Sequence, residues 1–292
     1  MFKSGYIAIL GAPNVGKSTL LNSLLGEKIS IVSDKPQTTR QKFLGILNLP
    51  QTQLLFLDTP GLHQSEKRMN ALMIEEARSS IQEADLIYYL VEPGKPKALD
   101  LNFIKEIEDK RKKYFLVINK VDKVAKLKLL PLLEEWKKHA KPEQFFLVSA
   151  LNMDGVRDII QESLPYLPEG PVYYPDDQLT NRDMRYLVSE IIREKLFNYT
   201  HQEIPYSLAV AIEEYKEEEK IDRISAIIYL EKESQKHIVI GKGGSMLKKV
   251  GELARHEIEK LAGKKVFLKL FVKVVKDWTK KEAMLKDLGF SL

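Results

Sequence analysis

The stretch "GAPNVGKS", residues 11–18, decides the fold of the first half of the chain. It follows the apolar run YIAIL at 6–10 and precedes a leucine-rich segment, so the predicted context is strand, tight loop and helix. Glycines in such a loop let successive backbone N–H groups point at an anion, and the helix N-terminus adds partial positive charge. The spacing therefore predicts a phosphate-binding loop.

Each residue type in this loop has a predicted role. Gly16 permits close approach of the backbone, Lys17 reaches the β- and γ-phosphates, and the Ser18 hydroxyl is placed to ligate Mg²⁺. A glycine-rich turn without a ligand is the alternative, and the flanking strand and helix disfavour it. The predicted phosphate-binding residues are Gly11, Ala12, Pro13, Asn14, Val15, Gly16, Lys17, Ser18 and Thr19.

Two later motifs predict which base is bound. In "NKVD", residues 119–122, the Asp122 carboxylate offers two acceptors that match the two donors on the guanine edge, whereas adenine would leave an acceptor facing an acceptor. An ATP-driven RNA remodeller is therefore disfavoured. "SA", at 149–150, offers a backbone N–H to the guanine carbonyl oxygen. The predicted guanine-binding residues are Asn119, Lys120, Asp122, Ser149 and Ala150.

The motif "DTPG", residues 58–61, lies between the phosphate loop and the base motifs. Asp58 ends the apolar run LLFLD, where its carboxylate can hold Mg²⁺ through water, and the Gly61 amide can sense a γ-phosphate. Four loops that follow strands, in this order, make the constellation specific.

Composition and the apolar runs predict two domains. The chain has 292 residues, 44% of them hydrophobic, and no cysteine, and its start lacks the long apolar run of a signal sequence, so we expect a soluble intracellular protein. Strand-like runs begin at 6, 53, 86, 114 and 145, with helix-like segments at 70–84, 99–113 and 155–164. This alternation predicts an α/β domain with a mostly parallel sheet and helices on both faces.

The order of elements changes after a proline-rich stretch at 165–181. We predict a first domain at 1–170, a linker at 171–181 and a second domain at 182–292. In the second domain the pattern predicts helices at 182–197 and 246–261. It predicts strands at 206–213, 223–231, 237–240 and 266–275.

The second domain is basic where it follows the sequence "GKGG" at 241–244. From Lys242 to Lys281 there are twelve Lys or Arg against four Asp or Glu, a balance that a polyanionic partner and a merely solvated surface explain equally well. By itself the GKGG sequence is weak evidence for a binding site, because a glycine turn before a helix is common.

Taken together, the first-domain motifs resemble the translation-factor-like branch of small GTPases, whose signatures appear as GAPNVGKS, a threonine in QTTR (37–40), DTPG, NKVD and SA. The resemblance implies that Thr39, or its neighbour Thr38, closes over Mg²⁺ and the γ-phosphate. Residues 27–47 and 58–75 would then be two mobile switch loops. The implied switch residues are Thr38, Thr39, Asp58, Thr59, Pro60, Gly61 and Leu62, and the implied Mg²⁺ residues are Ser18, Thr39 and Asp58.

One position departs from the Ras-like pattern. Leu62 stands where Ras-like GTPases have a water-orienting glutamine, so the general base is unknown and we expect slow intrinsic turnover. The loop PNVGKS is similar to that of GTPases that use a monovalent cation. On that resemblance, Asn14 would help ligate K⁺ near the bond that is cleaved.

In the second domain, IGKGG followed by an amphipathic helix and a lysine-rich strand resembles the KH module, an α+β domain that binds single-stranded nucleic acid. The resemblance implies a type II KH-like fold and places 237–240 at the end of a helix, against our strand prediction. It also implies that the glycines admit a sugar–phosphate backbone and that Lys242 neutralises it. The implied RNA-binding residues are Ile240, Gly241, Lys242, Gly243, Gly244, Met246, Lys248 and Lys249. A small GTPase joined by a linker to a KH-like domain is the arrangement of the Era family, and the similarity covers nearly the whole chain.

The Era resemblance implies several properties that composition and spacing do not. These are contact with small-subunit ribosomal RNA near its 3′ end and a role in small-subunit assembly, whereas binding of Mg²⁺ with GTP or GDP is predicted by the motifs themselves. A monomer in the cytoplasm, attached loosely to the inner face of the membrane, is also implied. The rival hypothesis is a membrane-surface adaptor whose basic face meets anionic lipid.

Overall fold

The computed structural model of the chain describes residues 1–35, 38–61 and 68–289, with the backbone alone for 68–73. It divides into two compact units. The first comprises Met1–Val32 and Thr39–Asn181, and the second comprises Ser33–Thr38 and Arg182–Leu292. The linker that we predicted at 171–181 thus groups with the first unit.

The first unit is built on a six-stranded sheet. Its strands are β1 (Lys3–Gly11), β2 (Phe43–Leu49), β3 (Thr52–Asp58), β4 (Leu86–Val91), β5 (Tyr114–Asn119) and β6 (Gln144–Val148). The strand order is β2-β3-β1-β4-β5-β6, and among these described strands β2 and β3 pair antiparallel while the other neighbours are parallel. Every residue of β3, β4 and β5 is buried, as expected for strands that are covered on both faces.

Five helices cover the two faces of this sheet. They are α1 (Lys17–Leu25), α2 (Arg68–Glu83), α3 (Ala98–Asp109), α4 (Leu129–Lys137) and α5 (Val156–Ser163). Two consecutive tyrosines of β4 mark the two faces: the Tyr88 hydroxyl lies 2.6 Å from Ser163 Oγ in α5, and the Tyr89 hydroxyl donates to Asp100 of α3 at 3.1 Å. The predicted α/β class is therefore confirmed.

Two elements of the first unit had no prediction. β2 lies at the edge of the sheet and pairs antiparallel with β3, so a short turn is enough to join the two strands. We recognised the other strands by the helical segments between them, and no such segment separates β2 from β3. α4 carries a proline at its third residue, Pro131, which is tolerated in the first turn of a helix. Its fully buried Trp136 fixes it to the core.

Gln53 of β3 ties the predicted linker to the sheet. Its side chain is completely buried, and its Oε1 accepts the backbone N–H groups of Tyr173 and Tyr174 at 2.9 and 3.1 Å. Its Nε2 donates to Asn48 Oδ1 and to the Tyr174 carbonyl. Gln53 thus provides hydrogen-bond partners for backbone groups of Tyr173 and Tyr174 and ties the segment to the sheet. We call this ordered segment, residues 171–181, the strap.

The second unit has two layers. Its elements are α6 (Met184–Tyr199), β7 (Ala209–Lys216), β8 (Ile221–Leu230), α7 (Glu233–Ile240), α8 (Ser245–Ala262), β9 (Lys265–Val274) and α9 (Glu282–Asp287). The sheet order is β7-β8-β9, with β7 antiparallel and β9 parallel to β8. Burial alternates along β8, and the inward residues of α6, α8 and β8 form one core. The predicted α+β KH-like class is confirmed.

The strand prediction for 237–240 was wrong, and the helix implied by the resemblance is correct. β-branched residues favour a strand locally, but Gln235 Oε1 accepts the backbone N–H groups of Glu231 and Lys232 and so starts a helix. Val239 is then completely buried in the core of the unit. Capping and tertiary burial outweigh the local preference.

The helices of the two units are amphipathic. α8, with 18 residues, buries Val250, Ala254 and Ile258 and exposes Lys248 and Lys249.

Within residues 1–35, 38–61 and 68–289, no helix has both the length and the apolar character needed to cross a bilayer.

We predict that Gln53→Leu loosens the strap. The substitution removes the acceptor of the Tyr173 and Tyr174 N–H groups and a donor to the Tyr174 carbonyl, at a cost of about 2 kcal/mol. Hydrogen–deuterium exchange of peptides that span 171–181 should become at least tenfold faster. In the matched control, Gln144→Leu, only an exposed hydrogen bond to Glu162 is lost, and exchange of the strap should not change. Equal exchange in both variants would contradict this account.

Candidate functional site

The predicted phosphate loop connects β1 to α1 at the carboxyl edge of the first sheet. Gly16 has a φ of 97°, and a Cβ placed on it would lie 2.3 Å from Asn119 Nδ2. Both the backbone conformation and the close approach of Asn119 therefore require glycine at this position. Gly11 also lies at positive φ, and a Cβ there would meet the Leu90 carbonyl oxygen at 2.3 Å.

Lys17 folds back across the loop. Its ammonium donates to the carbonyls of Gly11 and Ala12 at 3.1 and 3.0 Å, and the residue is almost completely buried. Burial lowers the pKa of Lys17 to about 8, and the nearby Asp58 carboxylate opposes this effect. A poorly solvated cation at the centre of a loop is placed to attract an anion.

The three predicted Mg²⁺ residues meet in one cluster. Ser18 Oγ donates to Asp58 Oδ2 at 2.8 Å, Thr39 Oγ1 donates to the same oxygen at 3.3 Å, and the two hydroxyls lie 2.8 Å apart. Asp58 is completely buried, and its Oδ1 has no hydrogen-bond partner among the residues that the structure describes. Burial raises the pKa of Asp58, against the hydrogen bond from Ser18 and the charge of Lys17. An all-oxygen set with an orphaned carboxylate oxygen fits a hard divalent cation.

The consecutive residues Thr38 and Thr39 direct their hydroxyls differently. Thr38 Oγ1 donates to the Lys35 carbonyl at 2.7 Å, whereas Thr39 Oγ1 reaches Ser18 and Asp58. Of the two threonines, the structure thus brings Thr39 into the cluster.

Sequence reasoning missed Ser30 as a member of this cluster. Its hydroxyl donates to Asp58 Oδ2 at 3.1 Å, and the residue is buried. Asn22 of α1 positions it, because Asn22 Oδ1 accepts the N–H groups of Ile29 and Ser30 and its Nδ2 donates to the Ser30 carbonyl. No local pattern marks Ser30, since its role depends on a contact with Asp58, 28 residues away.

The predicted base-binding motifs lie beside the phosphate loop. Asn119, at the end of β5, donates through Nδ2 to the Val15 carbonyl at 2.8 Å and accepts the Ala150 N–H at 3.0 Å. Lys120, at a φ of 62°, extends over the loop to the Asn14 carbonyl and to Glu92. Asn119 and Lys120 therefore connect the NKVD motif to the phosphate loop, to the SA motif and to Glu92.

Asp122 and Ser149 are hydrogen-bonded to each other. Ser149 Oγ donates to Asp122 Oδ1 at 2.6 Å, while Asp122 itself is exposed and Ser149 is completely buried. The serine thus orients a carboxylate that faces outward. Ala150 is buried, and its carbonyl accepts the Ser23 hydroxyl of α1 at 2.6 Å.

The DTPG motif packs against the phosphate loop. Thr59 is completely buried and donates to the Ile9 carbonyl of β1 at 2.8 Å. A Cβ at Gly61 would lie 2.8 Å from Pro13 Cα, so glycine allows the two loops to touch. Pro60, between them, is also buried. Leu62 lies outside the described residues, as does part of the predicted second switch loop.

In the second unit, the GKGG loop joins α7 to α8. Gly241, Gly243 and Gly244 all have positive φ. A Cβ at Gly241 would meet Met246, whereas Gly243 and Gly244 have open space around them. The loop therefore presents exposed backbone without side chains, as contact with a sugar–phosphate backbone requires.

A cleft beside this loop runs between α8 and the edge strand β9. Lys248 reaches it, while Lys249 places its ammonium 4.4 Å from the ring centroid of Tyr199. Met246 packs against the core and Ile240 is half-buried. The cleft is lined by Gly244, Leu247, Lys248, Gly251, Glu252, Arg255, Leu268 and Leu270.

Comparison with known proteins places the chain in a family. The family model described as "50S ribosome-binding GTPase" matches residues 6–120, and the model of the KH domain matches residues 203–279. GTPase Era of Syntrophus aciditrophicus (strain SB) is 46% identical over 100% of this chain and 96% of its own length. GTPase Era of Coxiella burnetii (strain Dugway 5J108-111) is 49% identical over 98% of this chain and 97% of its own.

Two solved structures are similar over their full length. One is Era in complex with MgGDPNP and nucleotides 1506–1542 of 16S ribosomal RNA, with a TM-score of 0.96, 39% identity and complete coverage of both chains. The other is a variant of Aquifex aeolicus Era bound to GDP and AlF4⁻, with the same TM-score, identity and coverage. Because these relatives are 39–49% identical to the chain over nearly its full length, the chain belongs to the bacterial Era family of GTPases.

Proposed function

We propose that the chain binds GTP with Mg²⁺ in the first unit, hydrolyses it, and thereby controls binding of small-subunit ribosomal RNA by the second unit during subunit assembly. The single observation that carries the nucleotide site is the meeting of Ser18, Thr39 and Asp58 beside the buried Lys17 ammonium. These residues come from a phosphate loop, a switch segment and a strand end, which is the distribution that GTPases use.

Each residue has a distinct task in this proposal. The backbone N–H groups of 13–18 hold the phosphates, and Lys17 leaves the carbonyls of Gly11 and Ala12 to neutralise them. Ser18, with Thr39 and water-linked Asp58, would hold Mg²⁺, which supplies charge neutralisation when it is bound. Lys120 covers the nucleotide, and Asp122 pairs with the guanine edge.

Thr39 would report the presence of the γ-phosphate. The residues just before it, Ser33–Thr38, group with the second unit, where the Lys35 ammonium contacts the carbonyls of Phe197 and Thr200 at the end of α6. Arg193 of α6 donates to the Thr38 carbonyl. One peptide bond therefore separates a residue held by the nucleotide cluster from one held by α6, so loss of the γ-phosphate can be transmitted to the RNA-binding unit.

Water activation is assigned only in part. The attacking group is water, and its general base stays unidentified, with Leu62 in place of a glutamine. We propose that Asn14, held at a φ of 65° beside the Lys120 ammonium, helps bind K⁺ near the scissile bond.

The RNA-binding proposal rests on the exposed GKGG loop and the cleft between α8 and β9. The Era of known structure is in complex with nucleotides 1506–1542 of 16S ribosomal RNA, and the loop and cleft of this chain carry Lys242, Lys248 and Arg255. We place the protein in the cytoplasm on the small ribosomal subunit. A monomeric state and peripheral contact with the inner membrane face stay predictions of the family resemblance.

We predict that Asp122→Asn changes base preference. Replacing a carboxylate oxygen by an amide leaves one guanine donor facing a donor, which costs about 1–3 kcal/mol and weakens GTP binding about 10- to 100-fold. Xanthine offers an acceptor there, so the variant should prefer xanthosine triphosphate. Titration with both labelled nucleotides measures this change. Unchanged GTP affinity in the variant would refute the base assignment.

We predict that GTP turnover is faster in potassium than in sodium buffer of equal ionic strength. The similarity of the loop PNVGKS to that of cation-dependent GTPases implies that Asn14 helps to bind K⁺, so Asn14→Ala should remove most of the difference while GDP affinity changes little. Phosphate release under single-turnover conditions is the measurement. Identical rates in the two buffers would rule out the cation.

We predict that replacing Gly243 and Gly244 by Asp abolishes RNA binding and leaves GTP hydrolysis intact. The new carboxylates would stand in the open space where phosphates approach, and both loop positions are far in sequence from the nucleotide motifs. Gel shift with the 1506–1542 RNA and a phosphate-release assay test the two halves. Retained RNA binding would contradict the assignment of the GKGG loop, whereas the membrane adaptor predicts that the variant keeps its binding to anionic vesicles.

A further inference from the structure

Strand β9 presents two different faces. Its inward residues Val266, Leu268, Leu270, Val272 and Val274 belong to the core of the second unit or pack against it. The alternate residues point away from the helices and are exposed. They are Lys265, Phe267, Lys269, Phe271 and Lys273. We call this second set, with its neighbours on β8, the outer face of β9.

Two aromatic rings on the outer face stand in solvent. Phe267 is 42% exposed and Phe271 is 51% exposed. Both side chains project from the same side of one strand, four residues apart, which is about 13 Å along an extended chain. Tyr229, opposite Lys273 on β8, adds a third, partly buried ring. Contact of apolar ring surface with water is unfavourable, so a row of exposed aromatic rings usually marks a contact surface.

Cations alternate with these rings. The Arg223 guanidinium and the Lys269 ammonium each lie 5.5 Å from the centroid of the Phe267 ring. Among the described residues, the ammonium groups of Lys269 and Lys273 form no ion pair within 4 Å. Two acidic groups on the β7 side have other partners, since Glu214 pairs with Lys216 at 2.6 Å and Glu218 pairs with Arg223 at 3.0 Å. Lys216 lowers the pKa of Glu214 most, and the charge of Lys269 adds to this effect. The outer face along β9 is therefore positive.

From this alternation we infer that the outer face of β9 is a second RNA contact, in which unpaired bases stack on Phe267 and Phe271 while Lys269 and Lys273 bind the phosphates. Rings spaced along a sheet accept bases regardless of their sequence, and intervening cations track the backbone. Because β9 is an edge strand and its inward Leu268 and Leu270 line the GKGG cleft, a strand of RNA can pass from the cleft over this edge.

The charge pattern favours single-stranded RNA over the other occupants. A protein interface would need a continuous apolar centre, whereas here each ring is separated from the next by an ammonium group. A duplex keeps its bases stacked inside the helix and could use only the lysines. This inference rests on the RNA binding proposed above and extends it to a surface on the opposite side of the strand from the cleft.

The test compares Phe267→Leu/Phe271→Leu with the unmodified full-length protein. Each stacked ring contributes roughly 1–3 kcal/mol per base, so the double variant should bind the 1506–1542 RNA at least about tenfold more weakly. Leucine keeps an apolar side chain at both positions, and unchanged hydrogen–deuterium exchange of α8 and β8 reports that the second unit is folded. Tyr173→Leu, which removes a ring of similar exposure from the strap, should leave RNA affinity unchanged.

Short-wavelength ultraviolet crosslinking of the unmodified protein to the same RNA provides a measurement that needs no variant. Mass spectrometry should find nucleotide adducts on the peptide that contains Phe267 and Phe271. If the unmodified protein fails to bind this RNA at all, the proposed function fails. If it binds, but the double variant binds equally well and no adduct forms on β9, the proposed function stands and this inference is overturned.

Discussion

The site in the first unit depends on the side chain of one buried asparagine. Asn119 fixes the phosphate loop through the Val15 carbonyl and the base-binding loop through the Ala150 N–H. It can do so because Gly16 has no Cβ in the space that the amide occupies. Since a buried amide that loses a partner costs about 1–3 kcal/mol, both loops are held in place before any ligand arrives. Such preorganisation lowers the entropy lost on binding.

Motifs at strand ends could be predicted because parallel strands bring their carboxyl ends to one edge of a sheet. That rule placed Lys17, Asp58 and Asn119 together from residues that lie far apart in sequence. Ser30 could not be found in this way, because it reaches Asp58 from a loop that Asn22 orients. Such side-chain contacts depend on tertiary packing, and no periodic pattern in the sequence indicates them.

Other differences arise where tertiary contacts outweigh local preference. The strand prediction for 237–240 failed because Gln235 caps a helix whose Val239 is needed in the core. The prolines at 165–181 indicated a linker, and the segment is nonetheless ordered by Gln53, a residue 120 positions away from Tyr173. In β9 the simple alternation was readable from the sequence. The exposure of the Phe267 and Phe271 rings could be seen only in the structure.

Asn119 holds the phosphate loop and the base-binding loop through separate hydrogen bonds. Hydrogen–deuterium exchange of nucleotide-free variants tests this most directly. Asn119→Asp keeps an acceptor for the Ala150 N–H but loses the donor to Val15, whereas Asn119→Ala loses both. We expect faster exchange at 12–16 alone in the first variant, and at both 12–16 and 149–152 in the second. Unchanged exchange at both loops in Asn119→Ala would contradict the account.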